Sequence, residues 1–111
     1  MTHYMNLKPQ PFDLIKAGCK DIEMRLNDEK RQKINIGDII AFTNTESGEI
    51  IRVTVLNKHH FYSFDELYSS FDKARLGYMK NETADPNDME IYYSKDKISK
   101  YGVLGIEIKP I

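Results

Sequence analysis

Ile36-Gly37-Asp38-Ile39-Ile40-Ala41-Phe42-Thr43, then the reversal Glu46-Ser47-Gly48, then Ile50 to Leu56: this stretch decides the architecture. Gly37-Asp38 reads as a turn feeding an apolar strand, and Glu46-Ser47-Gly48 as a tight reversal into its hairpin partner. In the returning arm Ile51, Val53 and Val55 alternate with Arg52 and Thr54, the two-residue period of a strand with one buried face. The flanking segments must then add strands to this hairpin or pack helices on it.

On the N-terminal side, residues 20–26 alternate too, with Ile22, Met24 and Leu26 facing one way and Asp21, Glu23 and Arg25 the other. A half-buried strand is expected there. His3 to Leu7 forms a first strand, stopped by Lys8-Pro9-Gln10-Pro11 because proline fixes φ and donates no ladder bond. Pro11 is expected at the first position of a short helix containing Phe12, Leu14 and Ile15, which Gly18 ends in a left-handed cap. Asn27 to Lys33 is polar and reads as a loop. On the C-terminal side, Ser63-Phe64-Asp65-Glu66 is a capping box, with Tyr62 and Leu67 set to form its hydrophobic staple. Phe64, Leu67, Tyr68 and Phe71 then repeat as a core-facing helical stripe. Asp85-Pro86 starts another helix, a break is expected near Ser94-Lys95, Gly102 closes the segment, and Val103 to Lys109 is the last strand. Strands dominate the first half and helices group before the final strand. The class is α+β: a small β-barrel or curled, mostly antiparallel sheet with short helices attached and no parallel βαβ units.

The 111 residues fit one domain spanning 1–111, with 41% apolar and 30% charged residues. A lone cysteine, Cys19, allows no internal disulfide and fits a reducing compartment. No apolar run reaches the ~20 residues that span a bilayer, and the first residues lack a signal-peptide core, so the cytoplasm is the expected location. A net charge of −1 argues against gripping long duplex DNA by charge. The charge is uneven, however. Residues 16–33 hold six cations against four anions, while residues 61–90 hold seven anions against three cations. Surface solvation explains such bias as readily as a mildly positive cleft beside an acidic flank.

Within the basic stretch, Gly18-x-Lys20-x-x-Glu23-x-Arg25 sets three ionisable residues directly after a helix-ending glycine. A desolvated lysine can become a general base, but a neighbouring carboxylate favours its charged form. Lys20 beside Glu23 therefore reads as an orienting or phosphate-neutralising ion pair. Arg25 adds a planar fork for a phosphate, a carboxylate or a base edge. On one regular strand residues 20 and 23 would face apart, so convergence needs Lys20 in the turn before the strand. From spacing alone, a charge ladder on an edge strand is the better account of these residues.

The segment is similar to the G-x-K-x-x-E-x-R signature of the ASCH domain, a family built on the PUA-like β-barrel. The short helix before it, the Gly37-Asp38 turn and the closing Tyr101-Gly102-Val103-Leu104-Gly105-Ile106 extend the resemblance over most of the chain to small bacterial members. It implies a cleft holding RNA or a nucleotide-like or nucleoside ligand, with Gly18, Lys20, Glu23, Arg25, Tyr93 and Ser94 as ligand-binding candidates. Lys20 and Arg25 would grip the ligand, and Glu23 would orient Lys20 or read a donor edge. Some relatives hydrolyse 4-acetylcytidine through the motif lysine, a threonine three residues later and a distant glutamate. Here Glu23 stands at the threonine position and can supply no hydroxyl nucleophile. A hydrolase or ribonuclease would use Lys20 and Glu23 as catalytic residues, with Glu82 or Glu90 as the distant acid.

Other residues suggest less. His59-His60 read as exposed loop residues at a strand's end with no third metal ligand, and Cys19 as a small buried side chain rather than a nucleophile. Tyr92, Tyr93 and Ser94 can offer stacking and hydroxyl contacts to a base, although tyrosines at helical spacing usually pack. No phosphate loop, dinucleotide fingerprint or zinc-ligand set is present, so neither cofactor nor metal is expected.

Overall fold

In the computed structural model, which describes residues 1–111, the hairpin forms where the alternation predicts it. Five strands, β1 (Thr2–Leu7), β2 (Ile22–Leu26), β3 (Ile39–Asn44), β4 (Ile50–Phe61) and β5 (Val103–Pro110), make one sheet in the order β1-β3-β4-β5-β2. Ile40 lies opposite Val53 and Phe42 opposite Ile51 in the central pair. The side chain of Asp38, at the entry to β3, accepts from the Asn35 amide at 3.0 Å and meets His3 of β1 at 2.8 Å. The His3 contact, with the Asn35 amide behind it, lowers the Asp38 pKa to about 2.

One strand joins the sheet in an unexpected sense. β1 runs parallel to β3, pairing Thr2 with Ile39 and Leu7 with Asn44, against the expectation that no parallel unit exists. A parallel pair needs a long crossover, and helix α1 (Pro9–Lys16), β2 and the one-turn helix α2 (Glu29–Gln32) supply it. Helix α2 falls inside the segment expected as loop, because Asp28 caps it by accepting from the Arg31 amide at 3.1 Å. α1 begins at Pro9, not Pro11; both prolines sit in the first turn, whose amides have no helical partner.

β4 also continues past Leu56 to Phe61. A register shift between Val55 and Asn57 turns Leu56 outward, and beyond it the strand pairs with β5, His60 opposite Leu104. Such a bulge increases local twist and helps curl the sheet. His59 and His60 therefore lie within a strand rather than in a loop, His59 meeting Glu107 of β5 at 3.0 Å.

Between β4 and β5 come α3 (Phe64–Ser70), α4 (Lys73–Leu76), a 3₁₀ helix (Pro86–Ile91) and α5 (Lys95–Tyr101). Ser63 accepts from the Glu66 amide at 3.3 Å, but the exposed Glu66 carboxylate makes no return bond, and Tyr62 is exposed rather than stapled to buried Leu67. Ser94 caps α5 through the Lys97 amide, which is the expected break.

Two apolar clusters occupy the two faces. Phe12, Ile15, Ile40, Phe42, Val53 and Ile106 belong to the first, which α1 covers. Ile22, Leu26, Leu67, Leu76, Met89 and Val103 belong to the second, beneath the C-terminal helices. A Cβ at Gly105 would come within 3.3 Å of Ile22 and 3.5 Å of Leu67, so the glycine lets α3 settle close on the sheet. The free edge of β1 is met by side chains from β2 and α2: Arg25 Nη2 of β2 donates to the Asn6 carbonyl at 2.9 Å, and Lys30 of α2 to that of Tyr4 at 3.2 Å. The sheet is thus a curled half-barrel. No helix is long and apolar enough to cross a membrane.

Candidate ligand cavity

The turn after α1 sets the site. Gly18, at φ +81°, donates to the Ile15 carbonyl at 3.0 Å, and the Cys19 amide donates to that of Leu14 at 2.9 Å. This paired termination swings the chain out of the helix and leaves Lys20 ahead of β2. Lys20 and Glu23 are therefore not bound to opposite faces, and their side chains meet. Lys20 Nζ donates to the carbonyls of Ile22 and Leu76, both at 2.8 Å, and lies 3.5 Å from Glu23 Oε1. Its stem runs across Gly77, where an added Cβ would stand 3.0 Å from Lys20 Cδ. The φ of +105° at Gly77 also favours glycine.

Glu23 Oε2 takes Arg25 Nε and Nη2, each at 2.8 Å. Across the ladder Glu23 stands opposite Ile106 and Arg25 opposite Leu104, so both point to the face toward which the sheet curls. β2 is consequently covered on both sides, where alternation predicted one solvated face. Lys20 and Glu23 are each only 4% exposed. Burial dominates at Lys20 and lowers its pKa despite Glu23, reversing the balance the sequence suggested. For Arg25, burial works against the charge, yet Glu23 and the Tyr93 phenol outweigh it and the pKa rises.

Above this floor opens a cavity of about 520 Å³. Asn6 and Lys8, at the end of β1, line one side, and Tyr68, Tyr78 and Asp88 the other. The Tyr68 and Tyr78 hydroxyls are 2.7 Å apart, and Tyr78 donates to Asp88 Oδ2 at 2.7 Å. Burial first, then Tyr68 and Asp88, push the Tyr78 phenol far above its usual range. Sequence reasoning missed this trio. Tyr68 fell on a helical stripe that read as core, and Tyr78 and Asp88 sit in polar segments with no periodic signal.

Among the predicted residues, Lys20, Glu23, Arg25, Tyr93 and Glu82 line the cavity. The Tyr93 ring stacks on Phe64 at 6.1 Å, and Tyr92 is exposed on the rim with the Lys8 ammonium 5.4 Å from its ring centre. The Glu82 carboxylate accepts from the Met79 amide at 2.7 Å. Three candidates lie elsewhere. Gly18 shapes the turn and does not reach the cavity, the Ser94 hydroxyl is used in capping α5, and Glu90 lines a separate hollow beside Lys95. Cys19 is exposed, not buried, because the turn at Gly18 points it away from the core.

A curled half-barrel with helices grouped beside one edge strand is a PUA-like α+β fold. The chain belongs to the ASCH-domain family, whose model matches residues 5–111. Among solved structures it resembles the hypothetical protein PH0355, with 35% identity, both chains covered in full and a TM-score of 0.84. Protein PF0455 from Pyrococcus furiosus shares 33% identity over 100% of this chain and 98% of the other, with a TM-score of 0.78. The ASCH domain from Lactobacillus crispatus, at 14% identity, matches in fold over 97% of this chain and 79% of its own, with a TM-score of 0.65. No curated protein matches the sequence at a significant level.

Proposed function

We propose that this domain binds RNA or a nucleotide-like ligand by admitting one unstacked nucleotide into the cavity. The observation that carries this is the gathering of Lys20, Glu23 and Arg25 at the floor of a concave, tyrosine-walled space. At about 520 Å³ the space falls among small-ligand pockets, and a concavity admits a splayed base but not a duplex. Tyr92 offers a stacking face at the rim, Lys8 a cation for a phosphate, and Arg25 a fork at the floor. Lys20, spent on two carbonyls, acts as a positioning residue that ties the end of α4 to β2 and neutralises Glu23.

Fluorescence anisotropy with short single-stranded RNA tests this. Tyr92→Ala should weaken binding by about 1–3 kcal/mol, the worth of one stacked base, and raised salt should weaken it further. Arg25→Ala should weaken it in a protein whose circular dichroism stays folded. Affinity indifferent to all three changes would remove the reading.

A second reading is hydrolysis of a modified nucleoside such as 4-acetylcytidine, or of RNA. It is favoured by Glu23 Oε1, which makes no hydrogen bond and could take a proton from water. Product formation that Glu23→Gln abolishes would establish it; no product above a blank would end it.

A further inference from the structure

The hydrogen bonds around Glu23 separate its two oxygens. Oε2 is engaged by the Arg25 fork. Oε1 has only the Lys20 ammonium, at 3.5 Å, and that ammonium places its firm bonds on the Ile22 and Leu76 carbonyls. An oxygen sealed from solvent without a partner would be an orphan, yet the sole such side-chain atom in the protein is Arg31 Nε. Oε1 therefore opens onto the cavity. Facing the Lys20 ammonium and joined to the Arg25 guanidinium, the carboxylate is set to accept through this oxygen.

The opposite wall has the same polarity. Tyr78 donates to Asp88, so the shared bond between the two phenols is donated by Tyr68, and the Tyr68 oxygen keeps lone pairs free. Arg25 spends Nε and Nη2 on Oε2, and Nη2 also on the Asn6 carbonyl, so no bond from its guanidinium reaches Oε1. The floor thus offers an unpaired acceptor to the cavity.

Resting on the nucleotide-binding reading above, we infer that Glu23 Oε1 reads the Watson–Crick edge of a flipped base by accepting an amino or imino N–H. Glu23 is then a ligand-reading group, not merely the counter-ion of Lys20. A base whose edge N–H is blocked leaves the carboxylate oxygen desolvated and unpaired.

The experiment titrates the wild-type protein with 5′-monophosphates of cytidine, uridine and guanosine and of their edge-blocked forms, N4,N4-dimethylcytidine, N3-methyluridine and N1,N2,N2-trimethylguanosine. Blocking the N–H of the best-bound base should weaken it about ten- to a hundredfold, as expected for one lost base-edge contact. In Glu23→Gln the Arg25 fork retains the amide oxygen and turns the amide nitrogen into the cavity, so the preference for the unblocked form should vanish or invert. If that variant does not fold, the methylated pairs on the wild type decide alone. Equal binding of blocked and unblocked forms overturns the inference and leaves the binding reading standing. Failure of every monophosphate and of short RNA to bind overturns both.

Discussion

The face toward which the sheet curls is built in two ways. Along β3, β4 and β5 it carries Ile40, Phe42, Val53, Val55, Leu104 and Ile106, all buried in one cluster with Phe12 and Ile15 of α1. One strand further, at β2, the same face carries Glu23 and Arg25, with Lys20 reaching in from the turn. The first region is held by burial of apolar surface. The second gives up that gain to keep charges in place, and it is tolerated because Lys20 Nζ, Glu23 Oε2 and Arg25 Nε and Nη2 all have partners. A sheet built only for stability would continue its apolar face through positions 23 and 25. The departure from that pattern coincides with the cavity, and this coincidence supports the proposed ligand site.

Truncation separates the two regions most sharply. Phe42→Ala should cost about 4 kcal/mol in a urea titration, by transfer and cavity effects. Glu23→Ala should cost about 3 kcal/mol for a different reason, since it leaves the Lys20 ammonium and the Arg25 guanidinium buried without their carboxylate. If Glu23→Ala is neutral, the floor is wetter than its burial implies and the contrast fails.

A combined replacement sharpens it. Lys20→Met, Glu23→Leu and Arg25→Leu together extend the apolar face to the sheet edge. The triple variant should match or exceed the wild type in stability, because well-packed apolar groups often replace a buried ion set at no loss. Its affinity for short RNA should disappear. A triple variant that unfolds would mean that the charges are needed to hold α4 on β2.

The smallest expected effect is in pH dependence. Burial lowers the Lys20 pKa from its ordinary value near 10.5, so the unfolded chain holds that proton more tightly than the folded one. Stability should therefore rise with pH between the depressed folded value and the unfolded one, and Lys20→Met should flatten that rise. Parallel urea midpoints for the two proteins across the alkaline range check this; identical slopes would show that Lys20 is not the group responsible.

Much of this was legible in local pattern. Alternation at 50–56, the Ser63 cap, Pro86, the Ser94 break and the glycine at 102 each act within a few residues, and each appears in the fold. The residues at 20, 23 and 25 were marked by the family signature, while their spacing alone favoured a surface charge ladder. Tertiary structure alone decided the parallel place of β1 beside β3, the burial of β2 on both faces, the exposure of Cys19, and the meeting of Tyr68, Tyr78 and Asp88 across the cavity. The physical reason is range. Turn and helix signals are fixed by neighbours along the chain, whereas strand partners, the depth of a carboxylate and the free oxygen of Glu23 depend on which distant segments arrive beside them.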